Sequence, residues 1–146
     1  MLVNILFLIY NISACMNNIK LVNPFELKAH EKTRFTHVLL VFAKIIFRGK
    51  LKNRLLIDEK TKTILNGHHR CWTAKKIGLK RVPCYCVDYL NDESIKVYPR
   101  RSNIPVNKSI VINMALSGKV FPYKTTHHKY TTPKFDGISL YQLWIK

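Results

Sequence analysis

Acidic residues are scarce in this chain. Its 146 residues include 8 aspartates and glutamates against 25 lysines and arginines, which gives a formal net charge of +17. Such an excess favours anionic partners, namely nucleic acids, nucleotides or anionic surfaces. The basic residues are spread along the chain after Lys20 and form no block interleaved with aromatics, so charge alone does not choose among these classes.

Paired metal-ligand cysteines are also missing. The four cysteines show neither paired Cys-x-x-Cys spacing nor a secretory context: Cys15, Cys71, Cys84 and Cys86. A zinc site made by Cys71 with His68 or His69 has no second cluster to complete it. Cys84 and Cys86 fall on one face of a predicted strand, as small buried hydrophobes do. We therefore expect a reducing environment and a cytoplasmic protein.

The chain contains no hydrophobic run long enough to span a bilayer comfortably. Residues 1–18 are largely apolar, but the first basic residue is Lys20, so the basic start of a signal peptide is missing. We interpret this segment as an added strand or helix, or as an upstream extension before a true start at Met16, in preference to an interfacial anchor. Residues 19–146 have no internal repeat or low-complexity tract and are expected to form one domain.

What the sequence does contain is a strand that passes through a glycine into a helix. Residues 55–57 and 63–65 predict two strands, and the second leads into Asn66-Gly67-His68-His69-Arg70 and a short helix that stops at Gly78. This geometry directs free backbone N–H groups and the positive end of the helix dipole at one point. Gly67 could serve only as a tight turn, but three polar or basic side chains at one helix start favour a phosphate-binding turn.

The remaining elements follow from periodicity and from breaker residues. Helices are predicted over residues 36–47 and 108–116, each followed by a glycine. Strands are predicted at 19–22, 82–89 and 95–98, the second of them central in the sheet because both its faces are apolar. Residues 119–130 are predicted to be a loop, and residues 135–144 a last short strand and turn. Glu31 lies just before the first helix, where a first-turn carboxylate would favour the helix dipole.

Three motifs carry a resemblance to a known family. They are Pro24-x-x-Leu27-Lys28-x-His30-Glu31, the Asn66–Arg70 turn with its helix ending in Gly78-Leu79-Lys80-Arg81-Val82-Pro83, and Gly118-Lys119-Val120-Phe121-Pro122-x-Lys124-Thr125-Thr126-x-His128. Together they resemble the archaeal free serine kinases of the ParB/sulfiredoxin superfamily, over about residues 19 to 143. The central motif is shared across the superfamily, whereas the ending of the third motif is particular to the kinase branch.

The resemblance implies an α+β ParB/sulfiredoxin-like domain, with a small mixed sheet and helices. It implies transfer of the terminal phosphate of ATP or ADP to free L-serine, giving O-phospho-L-serine for cysteine synthesis, with Mg²⁺ as cofactor and metal ligands unknown. Glu31 would be the catalytic glutamate that orients and deprotonates the serine hydroxyl. Thr126 and His128 would bind the substrate. The nucleotide and phosphate would be bound by Asn66, Gly67, His68, His69, Arg70, Lys124, Thr125 and Thr126.

The sequence also departs from that family. Asn66 stands where Asp is usual, His127 where Arg is usual, and Pro99-Arg100 where an aromatic residue is expected. The loss of the Asp removes a charge that could help to hold a metal, so these changes bear on the metal and the substrate.

Two other functions are alternatives for this sequence. A ParB-like DNA-binding or partition protein would suit the charge, but the chain after Tyr98 offers no helix-turn-helix region. A sulfiredoxin-like reductase needs a nucleophilic cysteine beside the glycine, where His68 stands. Nucleic-acid binding is therefore the less favoured alternative. The sequence leaves the choice of ATP or ADP and the oligomeric state open.

Overall fold

The computed structural model describes residues 18–145, so all but the last residue of the predicted extension at 1–18 lies outside the described residues. Within them are a 3₁₀ turn at Pro24–Glu26 and four α-helices: α1 (Phe35–Arg48), α2 (His68–Ile77), α3 (Lys108–Leu116) and α4 (Leu140–Ile145). The same residues form eight strands: β1 (Ile19–Val22), β2 (Lys50–Leu51), β3 (Leu55–Asp58), β4 (Ile64–Asn66), β5 (Val82–Val87), β6 (Lys96–Pro99), β7 (Thr126–Lys129) and β8 (Ile138–Ser139). No helix in this part of the chain is long and apolar enough to cross a membrane.

The central sheet has four strands in the order β1-β5-β3-β4. β5 pairs antiparallel with β1 and parallel with β3, and β3 pairs antiparallel with β4. Two short antiparallel pairs, β2 with β8 and β6 with β7, lie outside this sheet. The mixed sheet with helices confirms the predicted α+β class, and β5 is central as its apolar sequence indicated.

The sheet carries hydrophobic residues on both faces. Leu55 and Ile57 belong to one buried cluster, which also contains Ile45 from α1 and Ala74 from α2. The intervening Leu56 belongs to a second cluster, which includes residues of α3. Because successive side chains of a strand point to opposite faces, β3 connects the two halves of the core.

The helix predictions at residues 36–47 and 108–116 are confirmed. α1 ends at Gly49, which adopts a left-handed conformation at φ +64° and donates its N–H to the carbonyl oxygens of Ile45 and Ile46. α3 begins at Asn107, whose side-chain oxygen accepts the backbone N–H of Ile110 at 2.8 Å.

Two predictions for the C-terminal third are wrong. The segment predicted as a loop at residues 119–130 contains the strand β7, which pairs with β6. β7 buries Thr126 and His128 and exposes His127 and Lys129, so the alternation of a strand is present but is carried by polar residues. After β8, residues 140–145 form α4 where a turn was predicted, because Leu140 and Leu143 are buried in the first core cluster.

Candidate functional site

A pocket of about 720 Å³ lies between the start of α2, one side of α1 and the segment that leads into β7. It brings together residues that the sequence places far apart. Nine of the predicted site residues line it: Glu31, Asn66, Gly67, His68, His69, Arg70, Lys124, Thr126 and His128. Thr125 does not line it, because its side chain is buried and its hydroxyl donates to the carbonyl oxygen of Pro122 at 2.7 Å.

The predicted strand-glycine-helix turn is present. Gly67 has φ +105°, and a Cβ atom at this position would lie 2.9 Å from Cγ of the buried Leu55. A glycine is therefore required both by the backbone and by the packing behind it. Among residues 18–145 no side chain caps the first turn of α2, whose N–H groups have no partner within the helix and can bind an anion.

Arg70 lines the pocket but is held in place by the protein. Its Nη1 donates to the carbonyl oxygen of Arg54 at 2.7 Å, and its Nη2 donates to Oδ1 of Asn66 at 3.5 Å. Nδ2 of Asn66 in turn donates to the hydroxyl oxygen of Tyr130 at 2.6 Å. Burial lowers the pKa of Arg70 from its ordinary value. The guanidinium therefore supplies a fixed positive charge beside the turn.

Glu31 is held by hydrogen bonds from Lys124 and Thr126, at the start of β7. Its Oε1 accepts the backbone N–H of Lys124 at 2.6 Å, and its Oε2 accepts both the N–H and the hydroxyl of Thr126, at 3.1 and 2.9 Å. Lys124 is in a left-handed conformation at φ +55°, which is uncommon for a residue other than glycine. α1 begins at Phe35, with no acidic residue in its first turn, so the helix-dipole role considered for Glu31 is wrong.

Two imidazoles that line the pocket, those of His68 and His128, lie against a third, that of the buried His30. The ring centroid of the buried His30 lies 4.6 Å from that of His68 and 5.8 Å from that of His128. Burial lowers the pKa of all three, to about 3 for His128 and well below the ordinary value for His68. Nε2 of His128 lies 2.9 Å from the hydroxyl of the buried Tyr89, within hydrogen-bond distance. These histidines are therefore neutral at pH 7 and serve as hydrogen-bonding groups.

The pocket is also lined by the neighbouring rings of His37, His69 and Tyr123, of which His37 and Tyr123 were not predicted as site residues. The hydroxyl of Tyr123 lies 2.8 Å from Nδ1 of His37, and both rings lie within 6 Å of the ring of His69, measured between centroids. Nε2 of His69 accepts the backbone N–H of Arg34 at 3.2 Å. Burial, followed by the nearby His37, lowers the pKa of His69. These rings form one wall of the pocket beside the start of α2.

The lining of the pocket is strongly cationic. Glu31 is the single carboxylate among the described lining residues, which include eight cations: Lys32, Lys44, Arg48, Lys50, Lys52, Arg70, Arg100 and Lys124. The sequence contains one signal for this cationic lining, because His37, Lys44 and Arg48 recur at helical spacing in the otherwise apolar α1. The pocket therefore suits a ligand with several negative charges.

The described residues do not form a metal site of their own. No group of three or more His, Cys, Asp or Glu residues in the range 18–145 could hold a metal ion. Glu31 is the single carboxylate among the described lining residues, and Asn66 contributes an uncharged oxygen. Cys71 is buried, which raises its pKa to about 11 and disfavours the thiolate that zinc requires. The donor set does not fit a resident Mg²⁺ ion.

Comparisons with known proteins agree with this architecture. No protein-family model matches the chain. A ParB-like protein of Sulfolobus acidocaldarius is 29% identical over 84 residues, which is 56% of this chain and 41% of that protein. The chain thus spans less than half the length of this curated relative. A conserved hypothetical protein from Pyrococcus furiosus superposes with a TM-score of 0.77 at 15% identity, covering 86% of this chain and 97% of the other.

Free serine kinase in complex with AMP superposes with a TM-score of 0.76 at 15% identity, over 86% of this chain and 93% of the kinase. A glutamate-to-alanine variant of free serine kinase in complex with ADP superposes equally well, at 0.76 and 14% identity, over 86% and 94% of the two chains. This chain has the free serine kinase fold. The resemblance drawn from the three sequence motifs is thereby confirmed at the level of the fold. In the free serine kinase fold of this chain, the strand-glycine-helix turn and Glu31 line one pocket.

Proposed function

We propose that this chain is a nucleotide-dependent phosphotransferase that transfers the terminal phosphate of ATP or ADP to the hydroxyl of free L-serine. The observation that carries the proposal is the position of Glu31, the single carboxylate that residues 18–145 place in a pocket lined by cations and by the start of α2. A negatively charged donor and a hydroxyl acceptor are the reactants that such a pocket suits. We place the reaction in the cytoplasm, where O-phospho-L-serine would serve cysteine synthesis.

Phosphoryl transfer requires positioned donors around a spreading negative charge more than covalent chemistry by the protein. We assign the donor phosphates to the first-turn N–H groups of α2, with Arg70 and Lys124 as nearby cations. We assign the nucleoside to the aromatic wall of His37, His69 and Tyr123, where a base can stack on the rings. The phosphates and the base of the nucleotide then each lie against a surface of matching chemistry.

Glu31 is assigned as the group that activates the acceptor. Its Oε2 accepts two hydrogen bonds from Thr126, whereas Oε1 accepts one, from the N–H of Lys124. Oε1 therefore keeps a lone pair for the serine hydroxyl and can accept its proton as the bond to phosphorus forms. Nε2 of His128 is occupied by Tyr89, which leaves Nδ1 as the ring atom that can contact the substrate. Mg²⁺ would enter bound to the nucleotide phosphates and would neutralise part of their charge.

The test is direct. The full chain is incubated with Mg²⁺, ATP or ADP and free L-serine, and O-phospho-L-serine is measured by mass spectrometry. We expect product with the parent and with Glu93→Gln, an exposed carboxylate outside the pocket, and strongly reduced product with Glu31→Gln. Nucleotide binding without any phosphoserine would refute the acceptor, whereas absence of nucleotide binding would refute the whole assignment.

A second candidate is nucleic-acid binding of the ParB-like kind. It is favoured by the net charge of +17 and by the 29% identity to a ParB-like protein. A concave pocket around one carboxylate suits a small anion better than a duplex, which ranks this candidate second. Titration of duplex DNA across a range of salt concentrations tests it. Tight, steeply salt-dependent binding together with no phosphoserine formation would reverse the order of the two proposals.

A further inference from the structure

A second, smaller cleft lies beside the main pocket. It has a volume of about 330 Å³ and is lined by Asn53, Arg54, Arg70, Tyr130, Thr132, Pro133 and Phe135. It shares Asn53 and Arg70 with the main pocket, so the two are neighbours with Arg70 between them. None of the three motifs that carry the family resemblance includes Arg54, Thr132 or Phe135.

Arg54 is the central side chain of this cleft. It is 8% exposed, and its guanidinium lies over the rings of Tyr85 and Phe135, with its Cζ atom 5.4 and 5.1 Å from their centroids. Its Nη2 donates to the carbonyl oxygen of Pro133, but its Nη1 is buried and has no hydrogen-bond partner in the part of the chain that the structure describes. A buried guanidinium nitrogen without an acceptor is costly.

The charge of Arg54 is not compensated by a carboxylate. Across residues 18–145 the salt bridges join Lys20 to Glu59 and Lys60 to Asp88, so neither Arg54 nor the adjacent Arg70 takes part in one. The guanidinium of Arg70 is held against the backbone of Arg54, since its Nη1 donates to the carbonyl oxygen of Arg54. A buried cation next to a partly buried one, with no carboxylate paired to either, is unfavourable unless an anion joins them.

Two hydroxyl groups complete a possible anion shell. The oxygen of Tyr130 accepts Nδ2 of Asn66, which leaves its own O–H proton free to donate. Thr132 is exposed and lines the cleft. With the guanidinium of Arg54, these groups offer donors and a positive charge, which is the complement of a phosphate group.

We propose that the cleft lined by Arg54, Arg70, Tyr130 and Thr132 is a second anion site, which binds a phosphate group. The phosphate can belong to a bound nucleotide or be free inorganic phosphate, because the recognising chemistry is the same. The site stands apart from the serine kinase proposal, since it depends on the uncompensated charge of Arg54 and not on Glu31 or the acceptor. Because Arg70 lines both the cleft and the main pocket, binding of an anion in the cleft would affect binding in the main pocket.

The experiment is a calorimetric titration of inorganic phosphate into the full chain, alone and with saturating ADP. Thr132→Val removes one donor at an exposed position, and Thr131→Val is its matched control, since Thr131 is exposed but does not line the cleft. Arg54→Lys keeps the charge but loses the planar pair of nitrogens. We expect phosphate to bind the parent and Thr131→Val equally, about fivefold more weakly to Thr132→Val, and at least about tenfold more weakly to Arg54→Lys.

The two ligand sources give different results. If the phosphate belongs to the nucleotide, ADP abolishes phosphate binding, and Thr132→Val weakens ADP itself. If it is free phosphate, binding persists in saturating ADP and Thr132→Val leaves ADP affinity unchanged. Should Arg54→Lys fail to fold, Thr132→Val and its control suffice. Affinities for phosphate and ADP that are the same in the parent and in Thr132→Val would overturn the proposal. Loss of phosphoserine formation alone would not, so the two proposals fail separately.

Discussion

The hydroxyl and the backbone N–H of Thr126 both donate to Oε2 of Glu31, across 95 residues of sequence. The same hydroxyl lies 3.0 Å from Nε2 of His30, whose Nδ1 lies 2.7 Å from the carbonyl oxygen of Ile64. A carbonyl oxygen only accepts, so the hydrogen-bond network assigns the proton of a neutral His30 to Nδ1. Nε2 of His30 and Oε2 of Glu31 can then both accept the single hydroxyl proton of Thr126. This shared donor couples Glu31 to the buried histidine.

This coupling determines how a Glu31→Gln variant will behave. An amide cannot accept a proton, so we expect turnover of L-serine to fall by about 10²–10⁴-fold if Glu31 is the general base. The new NH₂ group also meets the N–H donors of Lys124 or Thr126, which should cost about 1–3 kcal/mol of stability. Turnover and urea denaturation are measured on the same preparation.

Thr126→Val separates the two effects, because it removes a donor to Glu31 but keeps the carboxylate. We expect a similar stability loss with turnover within about tenfold of the parent. Equal losses of turnover in both variants would show that Glu31 acts by anchoring the segment at Lys124 and Thr126, and not as the base.

Gly67 should be far less tolerant of a methyl group than Gly78. Both glycines have positive φ, at +105° and +84°, but a Cβ on Gly67 meets Leu55 at 2.9 Å, whereas a Cβ on Gly78 has nothing within 4 Å. Gly78→Ala should cost about 1–2 kcal/mol from the left-handed backbone alone. Gly67→Ala adds overpacking of about 1–3 kcal/mol and moves the start of α2, so nucleotide affinity should also fall. Chemical denaturation measures the loss of stability, and ADP titration measures nucleotide affinity. Equal losses in Gly67→Ala and Gly78→Ala would contradict this account.

Asn66→Asp tests the metal dependence that the family resemblance implies. An aspartate keeps an oxygen toward Arg70, and the hydroxyl of Tyr130 can turn to donate to the other oxygen, so the variant should fold. The added charge beside the phosphate turn should strengthen Mg²⁺-dependent nucleotide binding and give turnover at least equal to that of the parent. The measurement is turnover against Mg²⁺ concentration, with the exposed Asn113→Asp on α3 as control. A folded but inactive Asn66→Asp variant would mean that this position does not serve a metal.

The stability of the fold should decrease on acidification because of buried imidazoles. Burial lowers the pKa of His30, His68 and His128, whereas the unfolded chain titrates near the ordinary value of about 6.5. Stability is therefore complete above about pH 6.5 and is lost as the pH falls, because the unfolded chain then binds more protons. For His128 the loss continues toward about pH 3.

Each such histidine contributes up to about 1.4 kcal/mol per pH unit within its window. Urea denaturation between pH 7 and 5 measures this slope before most carboxylates titrate. We expect His128→Gln to be less stable at pH 7 and to have a shallower slope, with the exposed His127→Gln as control. A slope that is the same in His128→Gln and in the parent would count against the buried, neutral state of this imidazole.

The sequence alone determined the local elements whose signals are short-range. α1, α2 and α3, the strands at β1, β3, β4 and β5, and the glycine at the start of α2 follow from apolar periodicity and from stop residues within a few positions. The three motifs also determined the fold, which the comparisons confirm. The roles proposed for Glu31 and for the phosphate turn came from the resemblance and stay predictions.

Only the tertiary structure decided the rest, because the deciding contacts lie far apart in sequence. β7 has no apolar period, and its polar side chains are buried only because Tyr89, His30 and Glu31 supply their hydrogen bonds. The hydroxyl of Thr125 donates to Pro122, away from the pocket, and Arg54 is buried under Phe135 with its Nη1 unpartnered among the described residues. Whether a polar side chain is exposed, structural or part of a site depends on partners that the fold brings to it, and the local sequence does not contain them.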